Sequence, residues 1–208
     1  MKLHTLEIKS FRNIKAAELS FDKGVTVFCG DNAQGKTNVL EAVFMFSAGR
    51  SFRTTRQKEL IKIGSDSSSL HIDFFSQQRD QEMDYKIYEE KRHEIMINGV
   101  KAEKTTDIYG RFASIIFVPF HLELIRSGPD ERRRFLDMAI CQLWPKYARA
   151  LLSYRRAVDQ RNTLLKDIYR FPQLEQTLDV WDQRISELSA YIINSRRLYV
   201  SRLSKASS

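Results

Sequence analysis

The stretch Gly30-Asp31-Asn32-Ala33-Gln34-Gly35-Lys36-Thr37 decides the reading of this chain. It is G-x-x-x-x-G-K-[ST] without a mismatch. Its glycines let successive backbone N–H groups turn inward on phosphate oxygens. Lys36 supplies a cation for the β- and γ-phosphates, and the Thr37 hydroxyl can join a Mg²⁺ shell. A helix starting at Lys36 aims its N-terminal dipole at the same anion. The flanks agree. Val25-Thr26-Val27-Phe28-Cys29 is a continuous apolar run, expected as a strand buried on both faces. Lys36 to Ala48 is expected as a buried helix, because Val39, Leu40, Val43, Phe44, Met45 and Phe46 are apolar nearly all round. The expected ligand is ATP with Mg²⁺.

Outward from the loop, the N-terminal part alternates like antiparallel sheet. His4 to Lys9, Ala17 to Phe21, Leu70 to Phe75 and Asp84 to Tyr88 have strand character, with polar and apolar residues interleaved. Glu94 to Ile97 precedes Asn98-Gly99, a two-residue hairpin signal. Ser114 to Val118 is a second apolar run, expected as a buried strand ended by Pro119. After Gly128-Pro129 no strand pattern survives. Pro145 can open a helix running to about Arg170, and Phe171-Pro172 breaks it. A second helix carries Leu174, Leu178, Trp181, Ile185, Leu188, Ile192 and Tyr199 at heptad-like steps, skipping Ser195. The two should pack as an antiparallel hairpin, with the stripe as ordinary core. Two domains are therefore expected: residues 1–126 as an ATPase lobe, and residues 127–208 as a basic helical lobe.

Charge sharpens that division. The 208-residue chain carries a formal +8. Residues 1–126 hold 19 Lys and Arg against 17 Asp and Glu, and residues 127–208 hold 15 against 9. The excess of +6 in the second part favours a polyanionic partner, commonly nucleic acid. No apolar run is long enough to span a membrane, and the N-terminus does not read as a secretory signal. A cytoplasmic protein is expected. Cys29 and Cys141 have no metal-site spacing and read as reduced, semi-buried residues.

Hydrolysis needs more than a phosphate loop. Ile72-Asp73-Phe74 offers one Asp but no second acid beside it, so Asp73 reads as a solvent-facing strand residue. No Ser-Gly-Gly segment resembles the signature of ABC ATPases. The residues supply half of a hydrolysis site, so little turnover is expected.

Three blocks of sequence resemble RecF, a recombination mediator family related to SMC ATPases. They are Lys9-Ser10-Phe11-Arg12-Asn13-Ile14, the loop continued through Asn38-Val39-Leu40-Glu41-Ala42, and Gly49-Arg50-Ser51-Phe52-Arg53-Thr54. Gly128-Pro129-Asp130-Glu131-Arg132-Arg133-Arg134-Phe135-Leu136-Asp137 and Gln160 to Lys166 agree with the same family. The resemblance covers the N-terminal half of RecF and stops within its helical insertion. It implies an α/β, P-loop ABC/SMC-type head lobe with mixed or antiparallel sheets, followed by an α-helical lobe. It further implies ATP-dependent DNA binding at gapped duplex in recombinational repair and replication. RecO/RecR-type mediators are implied as partners, and ATP-driven homodimerisation in the full-length protein. It adds Asn38, Arg12 and Arg53 to the nucleotide site; the latter two read equally as surface arginines. It makes Arg132, Arg133 and Arg134 candidates for DNA phosphates, against helix-terminal ion pairing as the plainer reading. Where the family usually has Pro-Glu-Asp-Leu, this chain has Pro119-Phe120-His121-Leu122, with Glu123 close by. Two rivals stand beside this reading. One is a P-loop small-molecule kinase, and the other an SMC- or RecN-like chromosome or repair ATPase.

Overall fold

Period-two patterning produces one six-stranded antiparallel sheet. The computed structural model describes residues 1–22, 24–118 and 128–206. The strands are β1 (Lys2–Phe11), β2 (Ile14–Ser20), β3 (Ser67–Ser76), β4 (Arg79–Tyr88), β5 (Glu94–Ile97) and β6 (Val100–Lys101). Their order is β2-β1-β3-β4-β5-β6. Leu6, Ile8, Leu70, Ile72, Phe74, Met83, Tyr85 and Ile87 point to one face and are buried. Thr5, Glu7, His71, Asp73 and Asp84 alternate with them on the other face. The Asn98-Gly99 turn joins β5 to β6 as expected, with positive φ at both residues. The β3–β4 turn at Gln77-Gln78 also has φ of 54° and 63°, although neither residue announces such a turn.

Helix α1 (Lys36–Ala48) covers the buried face with Val39, Ala42, Met45 and Phe46. Its end is closely specified. Gly49 takes φ 66° and returns its N–H to Met45 O at 2.8 Å. A Cβ at Gly49 would lie 2.5 Å from Thr105 Cγ2, so space as well as φ requires glycine. The Tyr85 hydroxyl donates to Gly49 O, and that of Tyr109 to Ala48 O, both at 3.0 Å. These bonds satisfy carbonyls that a helix end leaves open.

Two expected strands do not form. Residues 25–29 and 114–118 belong to none of the described strands, and Val25, Val27, Ile115 and Phe117 are strongly exposed. An apolar run becomes a buried strand only where neighbours pair its backbone and cover both faces. Here Phe28 packs against the core, but Val25, Val27, Ile115 and Phe117 are left largely uncovered. Cys29 is correspondingly exposed, against expectation, while Cys141 is buried. Pro119, Phe120, His121, Leu122 and Glu123 lie outside the described residues.

Contacts separate Met1–Glu123 from Leu124–Ser208. The second unit contains α2 (Pro129–Leu143), α3 (Pro145–Asp167) and α4 (Leu178–Ala206), with a 3-10 turn at Pro172–Thr177 before α4. Proline opens α2 and α3 at their first turns, where its missing N–H costs nothing. Pairs along α3 and α4 fix their direction. Trp144, just before α3, meets Tyr199; Tyr147 meets Arg196; and Arg161 meets Asp182. As one chain ascends the other descends, the expected antiparallel hairpin. Leu188 and Ile192 are buried along it, and so is Ser195, the position the apolar pattern skips. Asp137 of α2 is also buried. It accepts two bonds from Arg196, Nε to Oδ1 and a terminal nitrogen to Oδ2, each at 2.9 Å, and one from the Tyr147 hydroxyl. One carboxylate thus ties three helices together.

Candidate functional site

The loop from Gly30 to Gly35 enters α1 through a residue that must be glycine. Gly35, the N-cap of α1, has φ 97°. A Cβ there would meet Asn13 Oδ1 at 3.0 Å and Ile14 Cγ1 at 3.2 Å. No side chain caps the helix, so the first-turn N–H groups stand uncapped at its positive end. This is the donor set that a phosphate needs. Gly30 (φ 142°) and Ala33 (φ 64°) also turn through positive φ. Asp31, Asn32, Ala33, Gln34 and Thr37 are all exposed.

Lys36 folds back across the loop. Its Nζ donates to Gly30 O at 2.7 Å and to Asp31 O at 2.6 Å. Two neutral carbonyls hold the ammonium without cancelling its charge, which suits it to meet a polyphosphate. Thr37 presents its hydroxyl in the same first turn, where a phosphate-bound Mg²⁺ would use it.

Asn13 and Glu41 organise the surroundings, and the sequence reading assigned neither a role. Asn13 Nδ2 donates to Ala33 O at 2.5 Å, and Asn38 Nδ2 donates to Asn13 Oδ1 at 2.7 Å. The β1–β2 turn therefore grips the tip of the loop. Glu41 is fully buried. It accepts Arg12 Nε at 3.0 Å, an Arg12 terminal nitrogen at 2.7 Å, an Arg53 nitrogen at 3.4 Å and the Ser51 hydroxyl. The other terminal nitrogen of Arg12 donates to Glu59 O at 2.7 Å, so its guanidinium is engaged within the protein. Arg53 is half-exposed and also donates to Asn38 Oδ1 at 2.8 Å. Asn38 directly follows Thr37, so Arg53 is the arginine that borders the loop. The signal for Glu41 was its place as an acid inside a helix otherwise apolar nearly all round.

Asp73 lies on the open face of the sheet and accepts the Thr5 hydroxyl at 2.6 Å. Among the described residues, one grouping of His, Asp and Glu is close enough to share an ion: His71, Asp73 and Glu82. It contains no loop residue. Burial of the His71 ring opposes its charge. The hydrogen bond to Asp84 at 2.9 Å, and the charges of Asp84, Asp73 and Glu7, outweigh that and raise its pKa.

Arg132, Arg133 and Arg134 stand near the start of α2. Arg133 pairs with Asp130 at 2.5 Å and Arg134 with Glu131 at 2.8 Å, each one turn back.

Comparison with known proteins agrees with this geometry. The family described as an AAA ATPase domain matches residues 1–198. The chain is 38% identical over 209 residues to the DNA replication and repair protein RecF of Acetivibrio thermocellus, covering 100% of this chain and 56% of that protein. A structure of the recombination mediator protein RecF with ATP, from the RecFOR pathway, superposes with TM-score 0.90 at 33% identity. That match covers 97% of this chain and 54% of the other. An SMC head bound to a winged-helix domain of ScpA shares the fold at TM-score 0.54 and 24% identity, over 66% of this chain and 50% of its own. The chain spans about half the length of the RecF proteins it matches.

Proposed function

The chain belongs to the AAA ATPase domain family, and we propose that it forms the ATP-binding portion of a RecF-type DNA-binding protein of recombinational repair and replication. The observation that carries the reading is the loop itself: an uncapped helix N-terminus behind a left-handed Gly35, with Lys36 laid across neutral carbonyls. Gly30 to Asn38 would hold the phosphates, Thr37 would meet Mg²⁺, and Arg53 would border the nucleotide. ATP acts as a switch rather than a fuel in this reading. The described residues offer no carboxylate pair beside Thr37 to complete a metal site and orient water. Gapped duplex DNA and RecO/RecR-type mediators are the partners this reading names, in the cytoplasm. ATP-driven dimerisation would need the full-length protein. Neither a small-molecule kinase nor an SMC or RecN protein accounts for the closeness of the RecF match.

Calorimetry with Mg²⁺ and ATP tests the site. Lys36→Ala is expected to abolish most binding while leaving the fold intact, because it removes the motif's one fixed side-chain cation. Unchanged affinity in a folded variant would falsify the assignment. Phosphate release should stay far below the ~1 per second of ordinary kinases, and light scattering should report a monomer with or without ATP. Turnover in that range would mean that a catalytic acid has gone unrecognised.

A further inference from the structure

We propose that duplex nucleic acid is held along the solvent face of α3, by Lys146, Arg149, Ser153, Arg156 and Gln160, and not by the Arg132-Arg133-Arg134 run. This rests on the DNA-binding reading above and gives it a location.

The spacing comes first. These five residues follow one another at steps of three, four, three and four, which places them in one row on a helix. The row extends ~21 Å at 1.5 Å per residue. Lys146, Arg149, Arg156 and Gln160 are exposed and Ser153 is half-buried. The buried residues of α3, namely Tyr147, Ala148, Leu151 and Ala157, fall between them on other faces.

Charge decides what such a row can bind. From Pro145 to Val158 the helix has Lys146, Arg149, Arg155 and Arg156 and no acid. Among the described residues no carboxylate pairs with Lys146, Arg149 or Arg156, although ion pairs are frequent elsewhere in this unit. Arg161 is taken by Asp182, Arg196 by Asp137, Arg133 by Asp130 and Arg134 by Glu131. An arginine paired one turn away must give up that partner before it meets a phosphate, whereas an unpaired one need only shed water and counterions. Lys146, Arg149 and Arg156 thus share one face of α3 with no carboxylate beside them among the described residues, and Arg155 points to another face.

The chemistry of the row is that of a phosphate backbone site. Lys, Arg, Ser and Gln are donors of the kind that contact DNA phosphates and set its position without reading bases. The duplex carries one negative charge per ~1.7 Å of axis, so a 21 Å row meets many phosphates. A uniform row of donors with no carboxylate acceptor points to binding without sequence preference.

Fluorescence anisotropy of a labelled 30-bp duplex, titrated at several salt concentrations, tests this on the chain as it stands. Arg149→Ala with Arg156→Ala should weaken binding roughly tenfold and lower the log–log salt slope by about two. Arg149→Lys with Arg156→Lys should keep most of the affinity. Arg133→Ala with Arg134→Ala should change it less than about twofold. Circular dichroism and ATP affinity should stay at parental values in all three. If the parent binds duplex and the first double variant binds equally well with an unchanged slope, the row is wrong and the DNA reading stands. If the parent binds no duplex at low salt, the DNA reading falls and takes the row with it.

Discussion

Arg12 and Arg53 look alike in the sequence, as basic residues flanking a phosphate loop, and the structure gives them different work. Arg12 sits at positive φ, is nearly buried, and spends its guanidinium on Glu41 and on the Glu59 carbonyl. Removing it leaves a fully buried carboxylate short of its main partner. Breaking such a pair costs about 3 kcal/mol or more, so Arg12→Ala should lower the urea midpoint sharply. Arg53 is half-exposed and its contact with Glu41 is longer. Arg53→Ala should cost below about 1 kcal/mol, since water screens exposed pairs, yet it should weaken ATP binding. Equal stability losses in the two variants would overturn the distinction. At this scale the sequence spoke clearly only where backbone geometry imposes residue type. Gly35 takes a left-handed φ of 97°, which few residues but glycine adopt. Asn13 and Glu41 act through neighbours distant in sequence; Glu41 at least stands out locally as an acid in an apolar helix, whereas nothing local marks Asn13.

Elements were legible where periodicity is long and both neighbours are present. Helix α1 runs from Lys36 to Ala48 as read, and the β5–β6 hairpin turns at Asn98-Gly99. The β3–β4 turn was hidden, because Gln77 and Gln78 are not residues that favour a left-handed backbone. The runs at 25–29 and 114–118 misled for a different reason. Apolar continuity reports what a segment would bury if covered, and covering is a property of the surroundings. In the helical unit, the apolar stripe located α4 but passed over Ser195, which is buried beside Arg196 and its polar contacts. Those contacts can be tested. Asp137 is buried and holds Arg196 through two bonds. Arg196→Leu should destabilise the helical unit by about 3 kcal/mol by stranding that carboxylate. Adding Asp137→Leu should restore part of the loss, because an apolar pair leaves no orphaned charge. Urea unfolding followed by helical circular dichroism would show it. A second substitution that merely adds to the first would sink the idea.

Across the whole molecule, two units divide the charge and the chemistry. The sheet unit is nearly neutral and carries the phosphate loop, and the helical unit carries most of the positive excess. No helix among the described residues is long and apolar enough to cross a membrane. The grip of Asn13 on Ala33 has a consequence for how the first unit breathes. Asn13 belongs to the turn between β1 and β2, and β1 lies between β2 and β3 in the sheet. Opening that hairpin must release the loop tip, so a ligand that favours the ordered loop opposes the opening by mass action. At a nucleotide concentration of one hundred times Kd the added protection is about 2.7 kcal/mol. Amide hydrogen exchange in β1 and β2 should then slow by roughly a hundredfold on adding ATP, where exchange proceeds through that opening. The amides of β5 and β6, at the far edge of the sheet, should exchange as before, and uniform slowing throughout would refute the coupling. Occupancy of the nucleotide would thus be written into the deuterium uptake of a hairpin tied to the loop through Asn13.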